Sequence, residues 1–280
     1  MVNIPLLLFG TAGIPWRAKG SDTVQGIKAV KELGLGSMEL EFVRSINIKE
    51  AKAAAVKKAA SEAGIVLTCH GQYYVNLNAK DTATLRASIQ RILDASRIAS
   101  LCGCWSICYH MAYYSSVPHG TVSMRVKGHL KKILATLRDE GHDIWVRPET
   151  GGKINQFADS YDLIQLAAEM EDVLPCFDLA HQYSRTLGKW NTKEEFRKLF
   201  AAIERHLGKR GLHNMHMHME GIAFTEKGEK EHMNLKDCDF NYKDLLQVWK
   251  EFGLRGVVTC ESPNIEDDAL MLHNVYKSLK

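Results

Sequence analysis

Histidine, glutamate and aspartate recur at one kind of place along this chain, directly after short apolar runs. Cys69 leads into His70, Tyr109 into His110, Pro148 into Glu149, Phe177 into Asp178 and Cys260 into Glu261. His181 lies shortly after Asp178, and one further run carries His213, His216 and His218. Neutral imidazole and carboxylate are the donors of zinc, manganese and iron sites. A lone histidine at a strand end is more often a satisfied polar group than a ligand, and a lone carboxylate there often caps a helix or pairs with a cation. Agreement among so many runs changes that balance, because chance would scatter these residues over both ends of the elements. One catalytic zinc takes about three protein ligands plus water. The larger supply here favours more than one ion. Clustered ions are typical of phosphoester hydrolysis, where they clamp the attacking and leaving oxygens. His232 sits in a polar segment, Lys227 to His232, that reads either as a solvated loop or as a loop carrying one more ligand inward.

The elements that must position these residues follow from hydrophobic period and from caps. Strands are expected at Ile4–Gly10, Met38–Phe42, Ile65–Cys69, Trp105–Tyr109, Asp143–Pro148, Val173–Phe177, His213–Met217 and Gly256–Cys260. Several are nearly continuous apolar runs, as for strands covered on both faces. Helices are expected at Thr23–Leu33, Ile48–Ala63, Thr82–Leu101, Val122–Glu140, Phe157–Met170, Lys193–Leu207, Tyr242–Phe252 and Ile265–Leu279. Gly34, Gly64, Gly141, Gly208 and Gly253 stand where a left-handed C-cap belongs, and Asp22, Asp81 and Asn191 or Thr192 where N-caps belong. Strict alternation implies a parallel sheet with right-handed crossovers. The expected fold is therefore α/β, a single (β/α)8 TIM barrel spanning residues 1–280. A doubly wound open sheet is the alternative, but Gly10-Thr11-Ala12-Gly13 is a turn and not a dinucleotide fingerprint. Such a barrel places its chemistry at the C-terminal ends of the strands.

Composition narrows the setting. The 280 residues are 45% hydrophobic and 25% charged, which excludes a disordered tail, a disulfide miniprotein and a fibre. A net charge of +3 gives no global signature of nucleic-acid binding and leaves a local basic groove open. The apolar start, Met1 to Phe9, lacks a basic n-region, and no apolar stretch approaches the roughly 18 residues of a membrane span. Seven cysteines without a Cys-x-x-Cys pair read as buried reduced thiols, although Cys102-Gly103-Cys104 has some capacity for metal. A cytoplasmic, monomeric protein with no membrane partner is expected.

With these residues in hand, the chain resembles the endonuclease IV family of apurinic/apyrimidinic endonucleases, within the xylose-isomerase-like barrels. His70-Gly71-Gln72-Tyr73-Tyr74-Val75-Asn76-Leu77 is similar to the family's His-Ala-Pro-Tyr-Leu-Ile-Asn-Leu, and Tyr109-His110 to its second histidine strand end. Arg147-Pro148-Glu149-Thr150-Gly151-Gly152-Lys153 resembles its Glu-Asn-x-Ala-Gly stretch, and Phe177-Asp178-Leu179-Ala180-His181 its Asp-Thr-Cys-His. Cys260-Glu261-Ser262-Pro263-Asn264 resembles its Glu-Thr-Pro-Asn, and His218, ahead of His216, matches its seventh-strand histidine. The resemblance implies two or three Zn2+ ions, with Mn2+ as a substitute, and hydrolysis of double-stranded DNA on the 5′ side of an abasic lesion. It implies a first ion on His70, His110 and Glu149, a second on Glu149, Asp178, His218 and Glu261, and a third to which His181 and His232 contribute. Glu149 as bridging ligand and Glu261 as orienter of the attacking hydroxide would be the catalytic carboxylates. Arg44, Tyr73, Tyr74 and Asn76 would face the DNA. The chain departs from the family at three places. Lys230 stands two before His232 where the family has aspartate, with Glu229 and Glu231 as shifted replacements. His218-Met219-Glu220-Gly221 replaces His-Leu-Asn-Asp, and Gly10-Thr11-Ala12 replaces a first-strand His-x-Ser.

Two other readings compete. A sugar isomerase or epimerase on the same barrel uses one divalent ion on two glutamates, an aspartate and a histidine, which Glu149, Asp178, His218 and Glu261 would supply. A metal-bearing DNA-binding protein without activity is the third. Fold alone does not separate them.

Overall fold

The computed structural model describes residues 3–279; Met1, Val2 and Lys280 lie outside the described residues. One parallel sheet of eight strands forms the frame. In chain order these are β1 (Leu7–Ala12), β2 (Ser37–Glu41), β3 (Val66–His70), β4 (Ser106–Tyr109), β5 (Trp145–Pro148), β6 (Cys176–Asp178), β7 (Met215–Met219) and β8 (Gly256–Cys260). Sequence neighbours pair throughout except β5 with β6, and β8 pairs with β1. The remaining gap, between β5 and β6, is bridged at Glu149 and Cys176, where Thr150 N donates to Cys176 O at 3.1 Å. The expected TIM barrel is thus the observed fold. It closes through the backbone of a candidate ligand.

Helices coat the outside: α1 (Thr23–Glu32), α2 (Glu50–Ala63), α3 (Thr82–Leu101), α4 (His119–Asp139), α5 (Ser160–Ala168), α6 (Leu179–Arg185), α7 (Lys193–Leu212), α8 (Tyr242–Glu251) and α9 (Glu266–Ser278). Asp22 and Asp81 accept the amides of Gln25 and Thr84, and Thr192 forms a reciprocal capping box with Glu195. Gly34, Gly64, Gly141 and Gly253 have φ of 76°, 67°, 81° and 59°, the conformation that ends helices at glycine.

The differences from expectation have local causes. The chain continues helically past Gly208 (φ 57°), so α7 ends at Leu212 and β7 starts at Met215 rather than His213. His213 becomes the C-cap of α7, away from the barrel mouth. The short helix α6 was not expected; Asp178 starts it by accepting the His181 amide at 2.6 Å. The segment Lys227 to His232, read as a loop, is instead an antiparallel hairpin of Gly221–Thr225 with Gly228–Met233. Among the described residues no helix is long and apolar enough to cross a membrane.

Candidate metal centre

Parallel register brings the expected donors to one mouth. His70 and Asp178 end β3 and β6, His218 lies near the end of β7, and His110, Glu149 and Glu261 directly follow β4, β5 and β8. His181 enters from the first turn of α6. Glu149, fully buried, is the hub. Its Oε2 lies 3.1 Å from His70 Nε2, and its Oε1 lies 3.2 Å from His218 Nδ1, 3.7 Å from His110 Nε2 and 3.8 Å from His181 Nδ1. His218 Nδ1 also lies 3.4 Å from Glu261 Oε1 and 3.9 Å from Asp178 Oδ2. His70 Nδ1 contacts Gly71 O at 2.7 Å, and His181 Nδ1 contacts Thr150 O at 3.0 Å. Each ring is thereby oriented, as ligand imidazoles usually are by their second nitrogen.

Burial and mutual charge oppose one another here. Burial alone would lower the His70 imidazole, yet the charge and hydrogen bond of Glu149, with Glu261 and Glu41 behind it, raise it to about 10. Burial likewise works against charge on His218, and Glu261 and Glu39 reverse it to well above the ordinary value. Burial would raise Glu149, but His110, His70 and His218 hold it well below the usual carboxylate range. His181 Nε2 is buried without a hydrogen-bond partner, while Glu149 Oε2 and Asp178 Oδ2 each meet only an imidazole nitrogen, at 3.1 Å. Buried donors and acceptors of these types, packed together, fit a cation better than they fit one another. Groups such as His110, Glu149 and His181, with one donor atom from each mutually within 4.8 Å, have the composition of a metal site.

The hairpin after β7 completes this wall. Regular alternation would put Lys230 and His232 on one face. The register instead pairs Ala223 with Glu231 and Phe224 with Glu229, leaving Lys230 as a bulge. The extra residue turns Glu229 onto the face of His232. Glu229 Oε1 lies 3.7 Å from His232 Nε2, and its Oε2 lies 3.6 Å from His181 Nε2. Of the two shifted replacements for the family aspartate, the fold brings in Glu229. Glu231 is exposed and pairs with Lys230 at 2.9 Å. His181, Glu229 and His232 form another cluster of metal-site composition. Gly152 is tight against it, since a Cβ there would stand 2.6 Å from His181 Cδ2 and 2.7 Å from Glu229 Oε2.

Some of the interior escaped sequence reasoning. Glu39 on β2 lies 2.9 Å from His216 Nε2 and 3.0 Å from His218 Nε2. His216 therefore sits one layer below His218, paired with Glu39, and His218 faces the mouth. Glu220 is fully buried with neither carboxylate oxygen partnered; burial, then Asp178 and Glu261, push it well above the ordinary carboxyl range. Acidic residues inside the apolar runs Met38–Phe42 and Met215–Met219 and just beyond them were the available signal.

The cleft above holds about 240 Å3, with His70, His110, His181, His232 and Glu261 in its floor and Tyr73, Tyr113, Lys153 and Gln156 at its sides. Tyr73 and Tyr74 are 51% and 62% exposed, so they are rim side chains and not core. Arg44 is exposed on the loop after β2. Asn76 differs: its Oδ1 accepts from the amides of Asn78 and Tyr113, at 3.0 and 3.4 Å, and so organises the rim loop.

Residues 27–278 match the family described as xylose isomerase-like TIM barrel. An uncharacterized protein of Methanocaldococcus jannaschii is 35% identical over 274 residues, covering 98% of each chain. Endonuclease IV of Thermus thermophilus superposes with a TM-score of 0.72 at 18% identity, covering 98% of both chains. A D-tagatose 3-epimerase-like protein superposes with a TM-score of 0.71 at 15% identity, covering 95% of this chain and 96% of the other.

Proposed function

Because the chain belongs to the xylose isomerase-like TIM-barrel family, an enzyme family, we propose that it is a zinc-dependent phosphodiesterase cutting duplex DNA on the 5′ side of abasic sites. One observation carries this reading. The donors exceed what a single ion uses, because the cluster of His181, Glu229 and His232 stands beside the set around Glu149 and Asp178. In this reading His70, His110 and Glu149 hold a first ion, Glu149, Asp178, His218 and Glu261 a second, and His181, Glu229 and His232 a third. Ions so held supply an activated water and positive charge opposite the phosphorus that is attacked. Glu261, at the mouth, orients that water. Tyr73, Tyr74 and Arg44 project where a widened or kinked duplex would meet them, and an abasic residue unstacks at less cost than an intact pair. The cleft volume of about 240 Å3 suits a sugar phosphate without its base.

The test is nicking of a duplex carrying a synthetic abasic analogue. Nicking abolished by chelator and by Glu261→Gln is expected, with two or more zinc ions per chain. A fully zinc-loaded protein that leaves the lesion intact overturns the reading. A second reading has its own observation: His218 Nδ1 stands within 3.9 Å of Glu149, Asp178 and Glu261 together, a one-ion set suited to sugar epimerisation. A single manganese per chain and turnover of a ketose would favour it. Lesion binding without cleavage would mark a binding protein.

A further inference from the structure

Branched aliphatic layers normally fill the interior of such a barrel. Here the layer below the mouth is different. Cys176 and His216 are register partners on β6 and β7, one step below the partners Asp178 and His218. Cys108 reaches the same place from β4. Cys108, Cys176, His216 and His218 are all buried, and one donor atom from each lies within 4.8 Å of the others. Tetrahedral zinc, with bonds of about 2.3 Å to sulfur and about 2.0 Å to nitrogen, separates its donors by roughly 3.3–3.8 Å. The four side chains therefore need only rotamer-scale adjustment, and Cys108 Sγ is already 3.8 Å from His218 Nε2.

We propose that Cys108, Cys176, His216 and His218 form an interior site for one thiophilic divalent ion, zinc foremost, one layer below the mouth, joined to it through His218 and not dependent on the nuclease reading. His218 is shared: its Nδ1 faces Glu149 and Glu261, and its Nε2 faces down to Cys108. Two further buried groups suit such an ion. Arg147, the register partner of Cys108, is fully buried with Nε and Nη2 unpartnered, donors that thiolates would accept. Glu39 now holds both rings through their Nε2 atoms. The ion takes the place of protons in those contacts, and the two thiol protons leave as it binds. Charge at the interior site then balances, with two thiolates against the dication and Glu39 against Arg147; where the mouth also holds an ion on His218 Nδ1, the ring would give up its remaining N–H proton and bridge as an imidazolate.

The competing arrangement is a metal-free relay of Glu39, His216 and Ser106, whose hydroxyl lies 3.0 Å from His216 Nδ1. Cobalt(II) separates the two, because thiolate absorption requires an ion on Cys108 or Cys176; Cys108 also has its sulfur within 4.8 Å of donors on His70 and Glu149, an alternative that Glu149→Gln removes. The whole protein, stripped and reloaded with cobalt, is expected to show near-ultraviolet thiolate-to-cobalt charge transfer. That absorption persists in Glu149→Gln and disappears in Cys108→Ser/Cys176→Ser, whose metal content falls by about one ion per chain. A cobalt-loaded wild type without thiolate absorption, or a double variant with wild-type metal content, overturns the proposal. Should the double variant not fold, the spectra of wild type and Glu149→Gln decide alone. The outcome leaves the count of ions at the mouth to be judged on its own.

Discussion

Glu149 sits where four imidazoles converge, and its charge dominates that of His70. Without metal, His70 titrates at about 10 instead of 6.5, because the adjacent carboxylates outweigh burial. A folded value above the unfolded one means stability that is complete below about 6.5 and is lost as pH rises through about 10. Chelator-treated protein should therefore lose melting temperature steadily from neutral pH to about 10, whereas zinc-loaded protein, with His70 neutral as a ligand, should not follow that slope. A flat profile for the stripped protein would contradict the field assigned to Glu149. The carboxylates around these rings predict that zinc loading at neutral pH releases the ring protons of His70 and His218 in addition to the two thiol protons of the interior site, measurable by calorimetry in buffers of different ionisation enthalpy. Glu149→Gln removes the charge that most raises His70, so proton release on loading should fall along with affinity.

The elements show what the sequence could disclose and what it could not. Strand ends were legible because period, glycine caps and acidic N-caps are local, and so His70, His110, Glu149, Asp178, His218 and Glu261 were all visible as one rim. The hairpin was not, since its register depends on pairing between Gly221–Thr225 and Gly228–Met233. Read by alternation, Lys230 faces the site beside His232; the bulge hands that place to Glu229. Glu39 was missed because a charged residue inside a run of strand character gives no sign of which layer it enters. His213 was misplaced because a helix that resumes after a glycine shifts the next strand by two residues. The bulge makes a direct prediction. Deleting Lys230 leaves Glu229-Glu231-His232, in which a regular strand again puts Glu229 and His232 on one face. That deletion should retain the ion held by His181, Glu229 and His232, whereas Glu229→Gln should weaken it by about tenfold or more and Glu231→Gln should not. Metal titration of the three variants checks it, and equal effects of Glu229→Gln and Glu231→Gln would dismiss the assigned register. Gly71 shows the same dependence on three-dimensional context. A Cβ there would stand 1.8 Å from the Tyr109 ring. Although the resembling family carries alanine at this place, Gly71→Ala should destabilise this barrel by about 1–3 kcal/mol in denaturant unfolding.

At the scale of the molecule, a net charge of +3 says little, and its distribution says more. The acids of the mouth are enclosed among imidazoles, while Lys153 stands exposed at the edge of the cleft. Lys153 also borders the neighbouring depression formed with Tyr114, His119, Ile154 and Lys227. The two concavities thus share a cationic divide, and a backbone leaving the cleft on that side would pass between Lys153 and Lys227. A single monosaccharide would fill the cleft and need neither lysine. Duplex DNA would release counterions at both, with log affinity falling against log salt by roughly 0.9 for each phosphate neutralised. Lys153→Ala/Lys227→Ala should therefore weaken binding to abasic duplex and flatten the salt slope by about one to two, with zinc content unchanged because neither ammonium is a ligand. Fluorescence anisotropy across a salt series measures the slope directly. An unaltered slope would place the DNA path elsewhere on the rim, toward Arg44 and Tyr74, and a wild type with no salt dependence would move the molecule from a polyanionic substrate to the small neutral sugar of the second reading.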